Sequence, residues 1–130
     1  MVTVLLVDDD DLVRTATARM LTRLSYRVIS FCDGALAREF LKTSDMHVDL
    51  IVCDVEMPLV GGIEFYRWLS TSMPQLSVAF LFFTGSDEQL DAHEDVRAVP
   101  RLEKPAYRNE FVAAVTALLK TKDVGPSPSL

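Results

Sequence analysis

Five short apolar runs alternate along the chain with stretches whose hydrophobic positions recur at three- and four-residue steps. The runs are residues 2–7 (VTVLLV), 26–30 (YRVIS), 48–53 (VDLIVC), 77–83 (SVAFLFF) and 98–102 (AVPRL). The first, third and fourth are almost wholly apolar, the pattern of strands covered by helices on both faces. The fifth contains Pro100, which cannot donate to a ladder and so belongs at a sheet edge. Between the runs, Val13, Ala16, Met20, Leu21 and Leu24 form one helical stripe, and Leu36, Phe40 and Leu41 form a second that starts near Asp33 and Gly34. Phe65, Trp68 and Leu69 mark a third helix after Gly61 and Gly62, and Phe111, Val115, Leu118 and Leu119 mark the last. Residues 87–96 have only Leu90, Ala92 and Val96 as apolar positions among many acids, which predicts a short or mobile helix. Strands alternating with helices of this length predict an α/β fold, an open, doubly wound parallel sheet with right-handed crossovers. Residues 1–121 are expected to form one domain. Residues 122–130, with Gly125, Pro126 and Pro128, are expected to form a flexible tail or linker. There are no internal repeats.

At 130 residues the chain suits one domain that buries roughly two-thirds of its unfolded surface. No apolar run approaches the ~20 residues of a membrane span, and the N-terminus lacks the basic-then-apolar pattern of a signal peptide. A cytoplasmic protein is expected. Cys32 and Cys53 are too few for a disulfide framework or a cysteine metal site, and both read as small buried hydrophobes in a reducing compartment. The net charge of −6 leaves no basic stripe to neutralise phosphates, so nucleic acid is not expected as a direct partner.

In open parallel sheets, sites form beyond the carboxyl ends of the strands. After the first run come Asp8, Asp9, Asp10 and Asp11, and after the third comes Asp54. Thr84 and Gly85 follow the fourth, and Lys104 and Pro105 follow the fifth. A parallel sheet brings these four points together. Carboxylates so gathered repel: two unit charges ~4 Å apart cost about 4 kcal/mol at an effective dielectric near 20. A hard divalent cation such as Mg²⁺, which takes oxygen ligands, relieves that repulsion. Lys104 and the Thr84 hydroxyl then add positive charge and a donor, completing the electrostatic clamp that phosphoryl transfer requires. Each motif alone has a plainer reading: an acidic turn capping a helix, a loop acid, a turn, a surface lysine. Their convergence at one sheet edge is what points to chemistry.

With these residues in place, the chain resembles the receiver domains of bacterial response regulators over residues 2 to about 121. The signatures are VLLVDDD (4–10), LIVCDVEMPLVGG (50–62), FFTGS (82–86) and LEKP (102–105), with steps of 45, 30 and 20 residues from Asp9 through Asp54 and Thr84 to Lys104. The resemblance implies a flavodoxin-like (βα)5 fold with strand order 2-1-3-4-5 in three α/β/α layers. It implies that Asp54 attacks a phosphohistidine of a sensor histidine kinase or histidine phosphotransfer domain and becomes an acyl phosphate. Asp9, Asp54 and the backbone carbonyl of Glu56 would ligate Mg²⁺, with Asp8 acting mainly through a coordinated water. Lys104 would pair with Asp54 and then with the phosphate, and Thr84 would swing toward the phosphoryl group to carry the signal. The Lys104–Pro105 peptide would be cis, and Pro58 and Gly62 would shape the loop after the acceptor. Kinase contacts would lie on the first helix around residues 13–20, and output contacts on the fourth and fifth helices. A monomer or weak homodimer is expected, with an unidentified downstream partner.

Where family members often carry an aromatic residue three positions before the lysine, this chain has Arg101, and Ala106 replaces the usual Phe after Lys104–Pro105. The stretch from Thr84 to Lys104 is also somewhat short. The expectation is therefore that output relies on reordering residues 87–96 rather than on a rotating ring. The VRAVPRLEKPAY segment resembles receivers fused to hybrid sensor kinases, whereas a start at Met1 directly on a strand fits a free-standing regulator. Both remain open. Two rivals come from other classes. A phosphatase of the haloacid-dehalogenase type would use Asp8 as nucleophile and Asp10 as general acid, but it needs a further acidic pair after a strand beyond the lysine. A degenerate receiver serving only as a binding module would have lost one of the acids, the threonine or the lysine. Self-transfer to Asp54 involves no turnover of an independent substrate, so the chain is not classed as an enzyme. His47 and His93 read as surface residues and Trp68 as a packing residue.

Overall fold

The computed structural model describes residues 1–76 and 78–124. Their elements run β1 (Thr3–Val7), α1 (Asp11–Arg23), β2 (Arg27–Phe31), α2 (Gly34–Thr43), β3 (Leu50–Cys53), α3 (Gly62–Ser72), β4 (Ala79–Thr84), α4 (Glu88–Ala92), β5 (Arg101–Glu103) and α5 (Arg108–Val124). The strands pair in parallel in the order β2-β1-β3-β4-β5. This is the doubly wound arrangement expected from the sequence.

The period of two in a strand explains why the central runs are apolar throughout. Val4, Leu6, Leu50, Val52, Leu81 and Phe83 pack with Leu21 of α1 and with Phe111 and Val115 of α5. The alternate residues Leu5, Val7, Ile51, Cys53, Phe80 and Phe82 pack with Ala37, Phe65, Leu90 and Val96 on the opposite face. The sheet therefore lies between two cores. Burying each large side chain contributes about 1.5–3 kcal/mol, enough to hold the strand ends that carry the polar site. Trp68 packs beside Phe65 with ring centroids 6.0 Å apart, in the role the sequence suggested.

Local chemistry sets the helix starts. Asp10 caps α1, its carboxylate accepting from the amides of Leu12 (3.0 Å) and Val13 (3.1 Å), and Asp33 caps α2 through Leu36 N (2.9 Å). Two stripe positions turn out to be shifted by one residue. Thr17 is buried in α1 and Ala16 exposed, because the Thr17 hydroxyl donates to Val13 O at 2.7 Å and enters the core satisfied. In α2 the buried position is Ala37, whereas Leu36 is 47% exposed.

The fifth strand also differs from expectation. It begins at Arg101, after Pro100 rather than through it. Proline lacks the amide that a strand residue would offer, but its carbonyl still accepts from Phe82 N at 2.9 Å. Cys53 is buried as expected, but Cys32 is exposed: it follows the last residue of the edge strand β2, where helix cover ends. The weak helical pattern over 87–96 yields only five helical residues, followed by turns. Helix α5 continues to Val124. Residues 125–130, the rest of the anticipated tail, lie outside the described residues.

Candidate functional site

Parallel pairing in register places the ends of β1, β3 and β4 side by side: Val7 lies opposite Cys53, and Cys53 opposite Phe82. The next residues on two of these strands are Asp8 and Asp54. Asp8 is only 2% exposed, and its side-chain Oδ1 accepts from Asp10 N at 2.9 Å. Asp54 is half-buried, and its Oδ1 accepts from Val55 N at 2.7 Å. Lys104, just beyond β5, places Nζ 2.7 Å from Asp8 Oδ2 and 3.1 Å from Asp54 Oδ2, with the Phe83 ring 5.5 Å below. The ammonium thus bridges the two carboxylates rather than pairing with Asp54 alone. The Lys104–Pro105 peptide is cis, and Lys104 N donates to Thr84 O at 2.7 Å.

Asp9 lies at the exposed rim. Carboxylate oxygens of Asp8, Asp9 and Asp54 all come within 4.8 Å of one another, an all-oxygen donor set that suits a hard divalent cation. Burial pushes the Asp54 carboxyl above its usual range, partly countered by the adjacent Lys104 charge. For Lys104, burial pulls the pKa down, but the hydrogen bond and charge of Asp8 and the charge of Asp54 outweigh it and leave it raised. The site therefore holds one fixed positive charge among three acids. Lys104 faces Asp54 Oδ2 and the Val55 amide faces Oδ1.

The backbone around Asp54 is equally constrained. Gly62 opens α3 with its amide on Val55 O at 2.8 Å, and a Cβ at this position would sit 2.0 Å from the Asp54 carbonyl oxygen. Leu59, in the loop between Asp54 and α3, takes a φ of 64° and is 84% exposed. Asp9, Val55, Glu56, Met57, Pro58, Gly61 and Gln89 line a shallow cavity of about 430 Å³ at this edge. Glu56 lines this cavity beside Asp9.

Thr84 is buried, and its hydroxyl accepts from Ser86 N and donates to Ser86 O, both at 3.3 Å. Ser86 Oγ in turn accepts from Glu88 N at 3.3 Å, at the start of α4. Arg101 extends from β5 to α4, with Nη1 2.7 Å from Asp91 Oδ1 and 3.8 Å from Asp87 Oδ1, and Nη2 donates to Arg97 O at 2.8 Å. Two contacts carried no motif in the sequence. Arg14 Nη1 donates to Asp8 O at 2.8 Å, and Gln89 Nε2 donates to Glu56 Oε2 at 3.0 Å. Both are single polar residues on helix surfaces, where spacing alone signals nothing. His47 lies at the other end of the sheet, 3.0 Å from Asp49, and His93 caps the C-terminus of α4, both away from the acidic cluster.

Residues 4–116 match the family model of the response regulator receiver domain. Among curated relatives, response regulator MprA of Mycobacterium sp. (strain KMS) is 34% identical over 132 residues, covering 99% of this chain and 56% of that protein. Response regulator GacA of Pseudomonas protegens is 33% identical over 116 residues, covering 88% and 54%. The chain spans about half the length of these relatives. Among solved structures, chemotaxis protein CheY4 of Vibrio cholerae superposes with a TM-score of 0.78 at 26% identity, covering 91% of this chain and 98% of that one. The receiver domain of sensor histidine kinase PA1611 from Pseudomonas aeruginosa PAO1 gives 0.78 at 25% identity, covering 91% and 97%, and was solved with a magnesium ion coordinated in its active-site cleft.

Proposed function

The chain belongs to the family of response regulator receiver domains, and from that premise we propose that Asp54 is its phosphoacceptor. The donor is a phosphohistidine of a sensor histidine kinase or histidine phosphotransfer domain. An Asp54 carboxylate oxygen forms the new bond to phosphorus as the bond from phosphorus to the histidine nitrogen breaks, and the histidine keeps that electron pair. The observation carrying this reading is the Asp8–Lys104–Asp54 cluster, with Lys104 Nζ 2.7 and 3.1 Å from the two carboxylates. A positive charge fixed beside the nucleophile stabilises the negative charge gathering on the transferred group.

Asp8, Asp9, Asp54 and the Glu56 backbone carbonyl would hold Mg²⁺, which supplies further positive charge against the phosphoryl oxygens. The Lys104 ammonium passes from the Asp54 carboxylate to a phosphoryl oxygen. The Thr84 hydroxyl donates to another, giving up its two contacts with Ser86. That loss loosens the start of α4, leaving Arg101 as its tie to β5 through Asp87 and Asp91. Output is the reordering of residues 87–96. An arginine held by ion pairs has no flat ring to rotate, so the signal is carried by making and breaking these pairs. The domain works in the cytoplasm, as a monomer or weak homodimer, and passes the signal to a downstream protein.

The phosphatase alternative loses support from Asp10, its general acid, whose Oδ1 is committed to two amides of α1. Intact-mass analysis after acetyl phosphate and Mg²⁺ tests the assignment. A phosphoryl increment on the native protein but not on Asp54→Asn is expected. An increment on both that Asp8→Asn removes would overturn it, and no increment on either would favour a binding module.

A further inference from the structure

We infer that Arg14 is a positioning residue that holds the turn after β1 in the shape Mg²⁺ requires, so that its loss weakens the metal site without slowing transfer once that site is full. This rests on the proposed reading of Asp8, Asp9 and Asp54 as the cation's ligands, and adds a residue of α1 that binds the backbone beneath them.

Four acids stand in succession from Asp8 to Asp11, and their mutual repulsion works to open the turn that must gather two of them. Asp8 is tied at its side chain and at its amide. Its Oδ1 accepts from Asp10 N at 2.9 Å, its Oδ2 meets Lys104 Nζ at 2.7 Å, and its amide donates to Phe31 O at 3.1 Å. Asp9 is exposed, so the aim of its carboxylate follows the backbone that carries it. Arg14 fixes that backbone. From the first turn of α1 its side chain, only 21% exposed, reaches back over the turn. Nη1 donates to Asp8 O at 2.8 Å and Nη2 to Asp11 Oδ1 at 2.6 Å. A peptide unit is planar, so holding the Asp8 oxygen sets the plane from which Asp9 departs. A guanidinium fork makes both bonds at once, whereas an ammonium is a point donor on a flexible stem and cannot hold the pair in that geometry.

Geometry and charge pull in opposite directions here. A cation beside an acidic site repels Mg²⁺, so on charge alone the removal of Arg14 would tighten binding. Positioning predicts the reverse. Loss of a group that orients metal ligands without touching the metal typically costs ~10–100-fold in affinity, and Arg14 acts through one peptide unit, which puts the expected loss at about tenfold.

The test titrates Mg²⁺ into the native protein, Arg14→Met and Arg14→Lys by calorimetry with no phosphoryl donor present. Labelling by acetyl phosphate is then followed by intact mass across a range of Mg²⁺ concentrations. Acetyl phosphate stands in for the kinase, so contacts between α1 and a partner protein do not enter. Both variants are expected to bind Mg²⁺ about tenfold more weakly. They should need correspondingly more Mg²⁺ for half-maximal labelling, yet reach the native rate at saturation. Either variant binding Mg²⁺ as tightly as the native protein would overturn the inference. So would a lower saturated rate with an unchanged Mg²⁺ dependence, which is what a general structural role gives. Circular dichroism establishes that each variant is folded, and should Arg14→Met unfold, Arg14→Lys decides alone. A native protein that binds no Mg²⁺ would instead remove the reading of these acids as cation ligands, and the inference with it. Native protein that binds Mg²⁺ but takes no label would remove the acceptor assignment and leave the positioning role standing on the calorimetry.

Discussion

Replacing Gly62 by alanine presses on the backbone of Asp54 itself. The added Cβ would lie 2.0 Å from the Asp54 carbonyl oxygen and 3.0 Å from both the Asp54 carbonyl carbon and Val55 Cα. The opposing atoms are backbone, so no side chain can rotate away, and the oxygen contact must open by about 1 Å to reach even the tightest real separations. Overpacking of this kind costs about 1–3 kcal/mol, and a rigid partner puts the cost near the upper figure. For a domain of this length each kcal/mol lowers the thermal midpoint by about 4 °C, so a fall of about 10 °C is expected. The same displacement moves Asp54 relative to Lys104, and a misplacement of ~1 Å at a reacting group can cost up to ~10²-fold in rate. Thermal unfolding by circular dichroism and phosphorylation by acetyl phosphate read the two effects separately. Gly85→Ala is the control, because nothing lies within 4 Å of its added Cβ. Equal behaviour of the two variants in both assays would refute the close-approach reasoning.

Three further predictions follow from the ion pairs and thiols. Arg101→Met should speed amide exchange in residues 87–96 by about fivefold, the modest effect expected of ion pairs with exposed partners, and unchanged exchange would remove Arg101 as the tie on α4. Lys104→Met leaves the nearly buried Asp8 without its cation, so urea unfolding should show a loss of about 3 kcal/mol, with Mg²⁺ restoring more stability to the variant than to the native protein. Equal gains from Mg²⁺ would argue against a cation site among these acids. A thiol reagent should modify the exposed Cys32 in the folded protein and reach Cys53 only on unfolding, since burial, aided by the Asp54 and Asp8 charges, pushes the Cys53 thiol well up. Rapid double labelling would contradict that burial.

The sheet was legible because both faces of β1, β3 and β4 are covered, so each strand reads as a continuous apolar run. The polar residues at the ends of those runs drew attention to Asp8, Asp54 and Thr84, and the end of the shorter fifth run to Lys104, without reference to packing. What escaped notice was set by satisfaction rather than hydrophobicity. Thr17 enters the core because its hydroxyl bonds Val13 O, which an apolar stripe cannot register. The Gln89–Glu56 and Arg101–Asp91 contacts join residues on weakly patterned segments, and only the fold reveals the pairing. Pro100 was correctly placed at the edge but on the wrong side of the strand boundary, since its carbonyl remains usable when its nitrogen is not.

Lys104 and Asp8, joined at 2.7 Å, stand 96 residues apart in sequence. A nascent chain thus carries Asp8 and Asp54 long before the cation that joins them has been made. A segment ending before β5 has both carboxylates but lacks the Lys104 charge that, on the proposed reading, stabilises transfer to Asp54. Competence to receive the signal therefore arrives late in synthesis, only after the edge strand has docked.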